Sequence, residues 1–486
     1  MNTKVEQLNP NRVFHFFAEI CKIPHPSKKE AQLASYLLAF ARERNLVSAL
    51  DEIGNVLIKK PAFKGYEHLI PVVLQSHIDM VCEKNSDTLH NFDTDPIIPY
   101  VDGDWVKAKG TTLGADDGIG IATQLAILDA RDIPHGPIEC LFTIDEETGL
   151  TGAFGIKPGF LEGKILLNLD SEDEGQIFIG CAGGRDTIAN LTYRTEVAPK
   201  GVTAFKISVG GLKGGHSGDD INKGLGNAVK ILNRLLWQIL KRFSIQLSDI
   251  KAGNLRNAIA REGWAIITLQ SEYSAALFEF IDAFQSMIVD ELRFTDPGIF
   301  VTVENAATPS MIINNSDFIN LINVLYACPH GVIAMSPEIA SFVETSTNLA
   351  SVQLKPEYFE ITTSQRSSVE SAKQNIVDMV ESVFLLSGAN VFHSDGYPGW
   401  APNPASPVLT IAVKVYNELF DSNPEVLAIH AGLECGLIGE KYPEMDMISF
   451  GPTIKGAHSP DERLHIQSVS KFWIFTLELL KRIPSK

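Results

Sequence analysis

Five short segments of this sequence contain the residue types that bind metal ions. These are Ser76-His-Ile-Asp79, the glycine-rich segment around Asp116, the pair Glu146–Glu147, then Asp170, and finally His458. Imidazole nitrogens and carboxylate oxygens are ligands that zinc accepts. Each segment alone has a more ordinary explanation, such as a helix cap or a solvated turn. Together they predict a metal site, provided that the fold brings them to one place.

The elements predicted around these segments would bring them together. Short, almost wholly apolar runs at Pro71–Leu74, Ile138–Ile144 and Ile165–Leu169 indicate strands that are buried on both faces. Gly118–Ala130, rich in Ile, Ala and Leu, predicts a buried helix between the first two. In open α/β sheets, ligands bind beyond the carboxyl ends of the strands. Three of the polar segments directly follow these runs, and Asp116 directly precedes the helix.

The pattern of elements changes after Gly183-Gly184 and changes back near Ser406. Between these points, helices and antiparallel strands predict an α+β insert, and helix and strand alternate again afterwards. We therefore predict an α/β fold with a mixed, mostly parallel sheet and helices on both faces. Its catalytic domain would be discontinuous, 1–187 and 395–486, and an α+β lid or dimerisation domain would occupy 188–394.

Composition narrows the functional classes. The chain has 486 residues, 45% of them apolar and 21% charged, which is typical of a soluble globular protein of two domains. Its formal net charge of −18 argues against nucleic acid or an anionic membrane as partner. The six cysteines are scattered, and the polar N-terminus lacks the apolar core of a signal peptide. We expect reduced thiols and a cytoplasmic location.

Longer motifs turn this pattern into a resemblance. Ser76–Asp79, Thr112–Gly120, Asp145–Gly149, Asn168–Glu172 and Gly456–Pro460 resemble the signature segments of the co-catalytic di-zinc dipeptidases, carboxypeptidases and deacylases. Within that family, the sequence is most similar to bacterial dipeptidases that act on aminoacyl-histidine substrates. Three further segments carry this narrower likeness: Ile179–Gly184, Gly211–Gly218 and His430–Gly436. The resemblance covers essentially the whole chain.

The resemblance implies a centre of two zinc ions, for which manganese or cobalt could substitute. Asp116 would bridge the two ions. His77 and Asp170 would complete one site, and Glu147 and His458 the other. Asp117, next to the bridging residue, is interpreted as a helix cap rather than a ligand.

The resemblance also assigns catalytic roles. A bridging water activated by zinc would attack the peptide bond, with Glu146 as general base. Asp79 would fix the tautomer of the His77 imidazole. His216, in the insert, would stabilise the oxyanion of the tetrahedral intermediate.

Three further residues are predicted to bind substrate. Arg366 resembles the arginine that holds the C-terminal carboxylate through a bidentate fork. Asn257 and Glu434 are weaker candidates, since strand capping or packing explains them equally well. The predicted function is hydrolysis of dipeptides, including aminoacyl-histidine dipeptides.

Four other hypotheses remain open at this point. The same metal site could serve an N-acyl-amino-acid deacylase or a carboxypeptidase. The Gly118-Ile-Gly120 turn could belong to a nucleotide-binding oxidoreductase, although its neighbouring carboxylates would repel a pyrophosphate. The fourth hypothesis is a non-catalytic binding module with the same fold. A homodimer is also possible, because small-insert relatives pair through the insert.

Overall fold

The computed structural model describes residues 4–485, and these residues form two compact units. The first unit runs to Gly180 and resumes at Trp400–Ala428 and again at Leu433. The second consists of Cys181–Gly399 and Ile429–Gly432. In the part of the chain that the structure describes, no helix combines the length and apolar character needed to cross a membrane.

Two helices open the first unit, preceded by a 3-10 turn at Val5–Gln7, and strands and helices then alternate. The elements are α1 (Asn11–Ile20), α2 (Ala31–Glu43), β1 (Val47–Leu50), β2 (Val56–Lys60), β3 (Val72–His77), β4 (Pro99–Asp102), β5 (Trp105–Ala108), α3 (Ala115–Asp129), β6 (Ile138–Thr143), α4 (Glu146–Gly149), α5 (Thr151–Gly155), β7 (Ile165–Asn168) and β8 (Gln176–Cys181).

The second unit is rich in antiparallel strands and has four longer helices, with a 3-10 turn at Ser271–Tyr273. Its elements are β9 (Gly183–Thr192), β10 (Thr195–Val197), β11 (Val202–Gly210), β12 (Gly215–His216), α6 (Ala228–Leu240), β13 (Gln246–Ala252), β14 (Ala258–Ile259), β15 (Gly263–Gln270), α7 (Ser274–Glu291), β16 (Phe300–Ala306), β17 (Met311–Ile313), α8 (Asn315–Ala327), β18 (Gly331–Met335), β19 (Val343–Leu354), β20 (Tyr358–Ser367), α9 (Glu370–Leu386) and β21 (Asn390–His393).

The C-terminal part of the chain again alternates helix and strand. It contains α10 (Pro407–Phe420), β22 (Glu425–Ile429), α11 (Glu434–Lys441), β23 (Asp446–Ser449), β24 (Ile454–Lys455), β25 (Arg463–His465) and α12 (Ile466–Lys481). The Ser406 hydroxyl caps α10 by accepting the N–H of Leu409, and Pro407 stands in the first turn.

The main sheet of the first unit has a parallel centre. Its strand order is β1-β2-β6-β3-β7-β23-β8-β22. β3 pairs in parallel with both β6 and β7, and β23 pairs in parallel with β7. Every residue of β3, β6 and β7 is buried, which explains their continuous apolar runs. The predicted α/β class with a mixed, mostly parallel sheet is confirmed.

A second, smaller sheet of the first unit was not anticipated from sequence. It has the strand order β24-β25-β5-β4. β24 and β25 form an antiparallel pair in which Ile454 faces Leu464. The loop between them, residues 456–462, carries His458, so a hairpin rather than a free loop presents this side chain.

Helices cover a nine-stranded antiparallel sheet in the second unit. The sheet runs β16-β11-β15-β13-β19-β20-β9-β21, and β18 pairs with β19. Apolar residues of α6 to α9 pack with those of the strands in one buried cluster that includes Phe205, Phe318, Phe359 and Phe384. The α+β character predicted for this part of the chain is therefore observed.

The helix α2 (Ala31–Glu43) has no side-chain cap at its N-terminus. Its N-cap residue is Glu30, whose side chain makes no cap bond. The Pro26-Ser27 segment lies too far before Ala31 to reach the free N–H groups of the helix. The Ser27 hydroxyl instead donates to Asp79 at 2.8 Å.

Candidate metal centre

Two groups of ligand atoms in the first unit share Asp116. One group is His77, Asp116 and Asp170, and the other is Asp116, Glu147 and His458; within each, the ligand atoms lie within 4.8 Å of one another. Asp116 Oδ1 lies 3.2 Å from His77 Nε2, and its Oδ2 lies 3.1 Å from His458 Nε2. The two oxygens of one carboxylate thus face two different imidazoles, which is the arrangement that a bridging ligand requires.

The spacing of these atoms fits zinc. His77 Nε2 is 3.4 Å from Asp170 Oδ1, and His458 Nε2 is 3.0 Å from Glu147 Oε2. Bonds of 2.0–2.1 Å in a tetrahedral site place ligand atoms about 3.3 Å apart. The second oxygen of Glu147 is buried and has no hydrogen-bond partner among the described residues. The donor set and its geometry therefore suit a pair of divalent cations.

Charge repulsion between the carboxylates of the cluster also favours the binding of cations. Burial, together with the nearby Asp116 carboxylate, raises the pKa of Asp170 well above its usual range. Hydrogen bonds to Asp116 and Glu147 raise the pKa of His458 to about 11. Burial opposes charge on His77, yet Asp170 and Asp116 outweigh it and raise its pKa as well. Carboxylates packed this closely favour positive charge between them.

Asp79 connects one ligand to the turn that holds Glu146. His77 Nδ1 lies 3.0 Å from the Asp79 carbonyl oxygen and 3.3 Å from its Oδ1, so Nδ1 carries the proton and Nε2 faces Asp116. The same carboxylate accepts the N–H groups of Glu146 at 2.9 Å and Glu147 at 3.2 Å. Asp79 therefore fixes the imidazole and the Glu146–Glu147 turn together.

Glu146 and Glu147 begin the short helix α4, directly after β6. Asp145 precedes them with a left-handed backbone, φ 49°, and its side chain accepts hydrogen bonds from the hydroxyls of Thr148 and Thr151.

Burial, then the carboxylates of Asp170 and Glu434, raise the pKa of Glu146 well above its ordinary value. Since none of the metal-ligand groups found within residues 4–485 includes Glu146, its carboxylate is available to move a proton.

A further acidic group, formed by Glu30, Asp79 and Asp145, differs from the metal-ligand groups because hydrogen-bond donors of the protein already surround it. Glu30 Oε1 accepts the N–H groups of Lys28 at 2.6 Å and Asp145 at 3.1 Å. The other two carboxylates accept the N–H and hydroxyl groups described above. Because donors already surround this group, it serves to fold the loops that carry the ligands.

Glu462 holds the loop that carries Asp116, a role that the sequence did not reveal. Its Oε2 accepts the N–H groups of Leu113 at 2.7 Å and Gly114 at 3.1 Å. Its Oε1 accepts those of Ala115 at 2.7 Å and Asp116 at 3.4 Å. The residue is 3% exposed. The sequence offered one indication of this role, which is that Glu462 lies four residues after the predicted ligand His458. The same loop therefore supplies a candidate ligand and anchors the candidate bridging residue Asp116.

Asp117 does cap the helix, as interpreted from sequence. Its Oδ1 accepts the N–H of Gly120 at 3.1 Å, and the regular helical backbone of α3 begins after it. The Gly118-Ile-Gly120 turn thus opens a helix whose N-terminus is already occupied by a carboxylate.

Glu434 lies beneath the ends of β3 and β6. Its Oε2 accepts Gln75 Nε2 at 2.5 Å and the Thr143 hydroxyl at 2.7 Å, and the residue is fully buried. Burial raises its pKa to about 7.

The second unit assembles the other predicted residues. His216 Nε2 lies 3.5 Å from Arg366 Nη2, and the Asn257 carbonyl oxygen accepts the Ser217 N–H at 2.8 Å. Arg366 is 7% exposed and donates through Nη1 to the Tyr397 hydroxyl at 2.8 Å. Its Nε is buried without a hydrogen-bond partner in the described chain. Nε is therefore available to a carboxylate, while the adjacent Nη2 contacts His216.

Asn257 and Tyr397 complete this group in different ways. The Asn257 side chain is exposed, in a loop whose neighbouring carbonyls at Arg256 and Ala258 accept Asn348 Nδ2. Tyr397, within Gly396-Tyr-Pro, was missed from sequence because an aromatic residue in a turn gives no sign of an arginine partner.

Comparison with known proteins identifies the family. A model of Peptidase family M20/M25/M40 matches residues 73–482. The chain belongs to this family. It is 45% identical, over 484 residues and 100% of both chains, to cytosol non-specific dipeptidase of Escherichia coli (strain K12). The crystal structure of aminoacylhistidine dipeptidase from Vibrio alginolyticus superposes with a TM-score of 0.92, at 44% identity and covering 100% of this chain and 99% of that one.

A more distant relative shows how far the fold extends. Aminopeptidase PepT from Bacillus cereus ATCC 10987 matches with a TM-score of 0.57 at 14% identity, covering 98% of this chain and 99% of that one. As a member of Peptidase family M20/M25/M40, the chain is a metal-dependent peptidase, and the two groups that share Asp116 are candidate metal-binding residues. Membership in a peptidase family leaves no support for the oxidoreductase and binding-module hypotheses.

Proposed function

We propose that this protein hydrolyses the peptide bond of free dipeptides, including aminoacyl-histidine dipeptides, with two zinc ions. Full-length similarity to two proteins named as dipeptidases supports the substrate class. The observation that carries the proposal is Asp116, whose two oxygens face the imidazoles of two ligand groups. We also propose a cytosolic location, which the printed name of the Escherichia coli relative supports.

The zinc ions would be held by His77, Asp116 and Asp170 on one side and by Asp116, Glu147 and His458 on the other. When bound, they polarise a carbonyl and lower the pKa of water. Glu146 takes the proton from the attacking water and delivers it to the leaving amine. Asp79 keeps the His77 tautomer and the position of Glu146 constant through these steps.

The residues of the second unit would recognise the rest of the substrate. The unpartnered Nε of Arg366 and the adjacent Nη2, which exchanges its contact with His216 for one with substrate, take the C-terminal carboxylate in a bidentate pair, and Tyr397 holds the guanidinium in place. His216 donates to the developing oxyanion, and Asn257 lines the same group. A dipeptide carries this carboxylate on the residue that directly follows the scissile bond.

Hydrolysis of an L-alanyl-L-histidine dipeptide and its C-terminal amide, measured with zinc-saturated protein, tests this function. We expect kcat/KM for the amide to be at least 100-fold lower, because the amide lacks the charge that Arg366 pairs with. Equal cleavage would contradict the role of Arg366, and cleavage of N-acyl amino acids in preference to dipeptides would favour the deacylase hypothesis.

A further inference from the structure

One carboxylate near the metal centre has unused hydrogen-bonding capacity. Glu434 is fully buried at the N-terminus of α11. Gln75 and Thr143 both donate to its Oε2, at 2.5 and 2.7 Å. Its Oε1 is buried and has no hydrogen-bond partner in residues 4–485. A buried carboxylate oxygen without a donor costs free energy unless a ligand or cation satisfies it.

No side chain of the described residues supplies that cation. None of the ion pairs formed by lysine, arginine or histidine within residues 4–485 includes Glu434. The two residues that touch it are neutral donors, and both are fixed by the sheet. Gln75 Oε1 accepts Asn168 Nδ2 at 2.5 Å, and the Thr143 hydroxyl is held at the end of β6.

The position of Glu434 relates it to the reacting groups. Gln75 is two residues before His77 on β3, so the two side chains lie on the same face of the strand. Thr143 is the last residue of β6, and Glu146 begins the helix that follows. Its contacts with Gln75 and Thr143 therefore place the Glu434 carboxylate beneath the strand ends that lead to His77 and Glu146. A cation held by Glu434 would therefore lie close to the proposed ligand His77 and the proposed base Glu146.

A free dipeptide carries one cation close to its scissile bond. Its α-ammonium group is attached to the carbon that neighbours the scissile carbonyl, and it offers three N–H donors. An N-acyl amino acid has no such group. We infer that Glu434 binds the α-ammonium group of the substrate through its Oε1 and thereby selects free dipeptides over N-acylated amino acids. The assignment rests on the proposed dipeptidase function and specifies how it is achieved.

The test compares two substrates of nearly the same shape. L-alanyl-L-histidine carries the ammonium group, and N-propionyl-L-histidine replaces it with hydrogen. For zinc-saturated wild type at pH 7, where the α-amino group of the dipeptide is mostly protonated, we expect kcat/KM to favour the dipeptide strongly. In Glu434→Gln, whose amide keeps the contacts to Gln75 and Thr143, kcat/KM for the dipeptide should fall roughly 10- to 100-fold. For the propionyl substrate it should change by less than about threefold.

Two further variants control for folding and charge. Glu139→Gln removes another buried carboxylate at the opposite end of β6, where it accepts the N–H groups of Glu162 and Gly163. We expect it to leave the preference between the two substrates unchanged. Glu434→Asp keeps the charge and should retain part of the preference. This variant therefore tests the assignment independently of whether Glu434→Gln folds.

The outcomes separate the two claims. Loss of preference in Glu434→Gln, with zinc content equal to wild type, supports the assignment. An equal loss on both substrates, an unchanged preference, or a wild type that cleaves both substrates equally would overturn it while leaving the dipeptidase function in place. A zinc-saturated wild type that cleaves neither substrate would overturn the proposed function and this assignment with it.

Discussion

Replacing Glu462 by glutamine should loosen the loop that carries Asp116. The carboxylate accepts four backbone N–H groups, and the two shortest bonds, to Leu113 and Ala115, are both 2.7 Å. A glutamine side chain keeps one acceptor oxygen and turns an NH2 group toward the N–H groups on the other side. Two hydrogen bonds to a charged acceptor are lost, at about 1.5 kcal/mol each, so the free energy of unfolding should fall by about 3 kcal/mol.

The same change should weaken metal binding. Residues that orient a ligand without touching the ion typically change metal affinity 10- to 100-fold when they are replaced. Urea unfolding of the metal-free protein measures the first effect, and competition with a chromogenic zinc chelator measures the second. Excess zinc should restore kcat in Glu462→Gln, because the ligands themselves are intact.

Asp461→Asn is the matched control, since it removes the same charge from the same loop at an exposed position. We expect it to change stability by less than about 0.5 kcal/mol and zinc affinity hardly at all. The reasoning is refuted if Glu462→Gln matches wild type in both unfolding free energy and zinc affinity. It is also refuted if Asp461→Asn weakens zinc binding to the same extent.

Two predictions concern the second unit. Tyr397→Phe removes the hydroxyl that holds Arg366, so KM for dipeptides should rise about tenfold with kcat nearly constant; an unchanged KM would show that Arg366 needs no such support. His330 accepts the Leu349 N–H through Nδ1 at 3.3 Å, and burial, then Lys230, lower its pKa from 6.5 to about 4. The unfolded chain therefore binds the proton first, and stability present above pH 6.5 is lost as the pH falls toward 4, by about 2 kcal/mol between pH 7.5 and 5. Urea unfolding of His330→Gln should lack this part of the pH dependence, and an identical pH dependence in both proteins would contradict the assignment.

The strands that carry the metal ligands could be predicted because the physics behind them is local. β3, β6 and β7 are buried on both faces, so their sequences are continuous apolar runs, and the ligands follow directly where the runs end. The helix after Asp116 was found for the same reason, since nearly all of its residues are buried. Sequence reasoning succeeds where a single segment contains its own evidence.

Partners that come from distant parts of the chain could not be predicted in this way. Glu462 meets the loop at Leu113, and Glu434 meets Gln75, only because the fold brings separate segments together. Neither glutamate differs locally from a solvated surface residue. The hairpin that carries His458 was missed because β24 has only two residues and β25 only three, too short for a recognisable alternation.

The adjacent residues Glu146 and Glu147 offer the most direct test of the proposed metal centre, because one is the proposed base and the other a proposed ligand. Zinc content and dipeptide turnover should be measured together in wild type, Glu146→Gln and Glu147→Gln. We predict two zinc ions per chain in wild type. Glu146→Gln should keep both ions while kcat falls at least about 100-fold, and Glu147→Gln should bind zinc more weakly. Full activity in Glu146→Gln, or full activity of a wild type that holds no metal, would contradict the account.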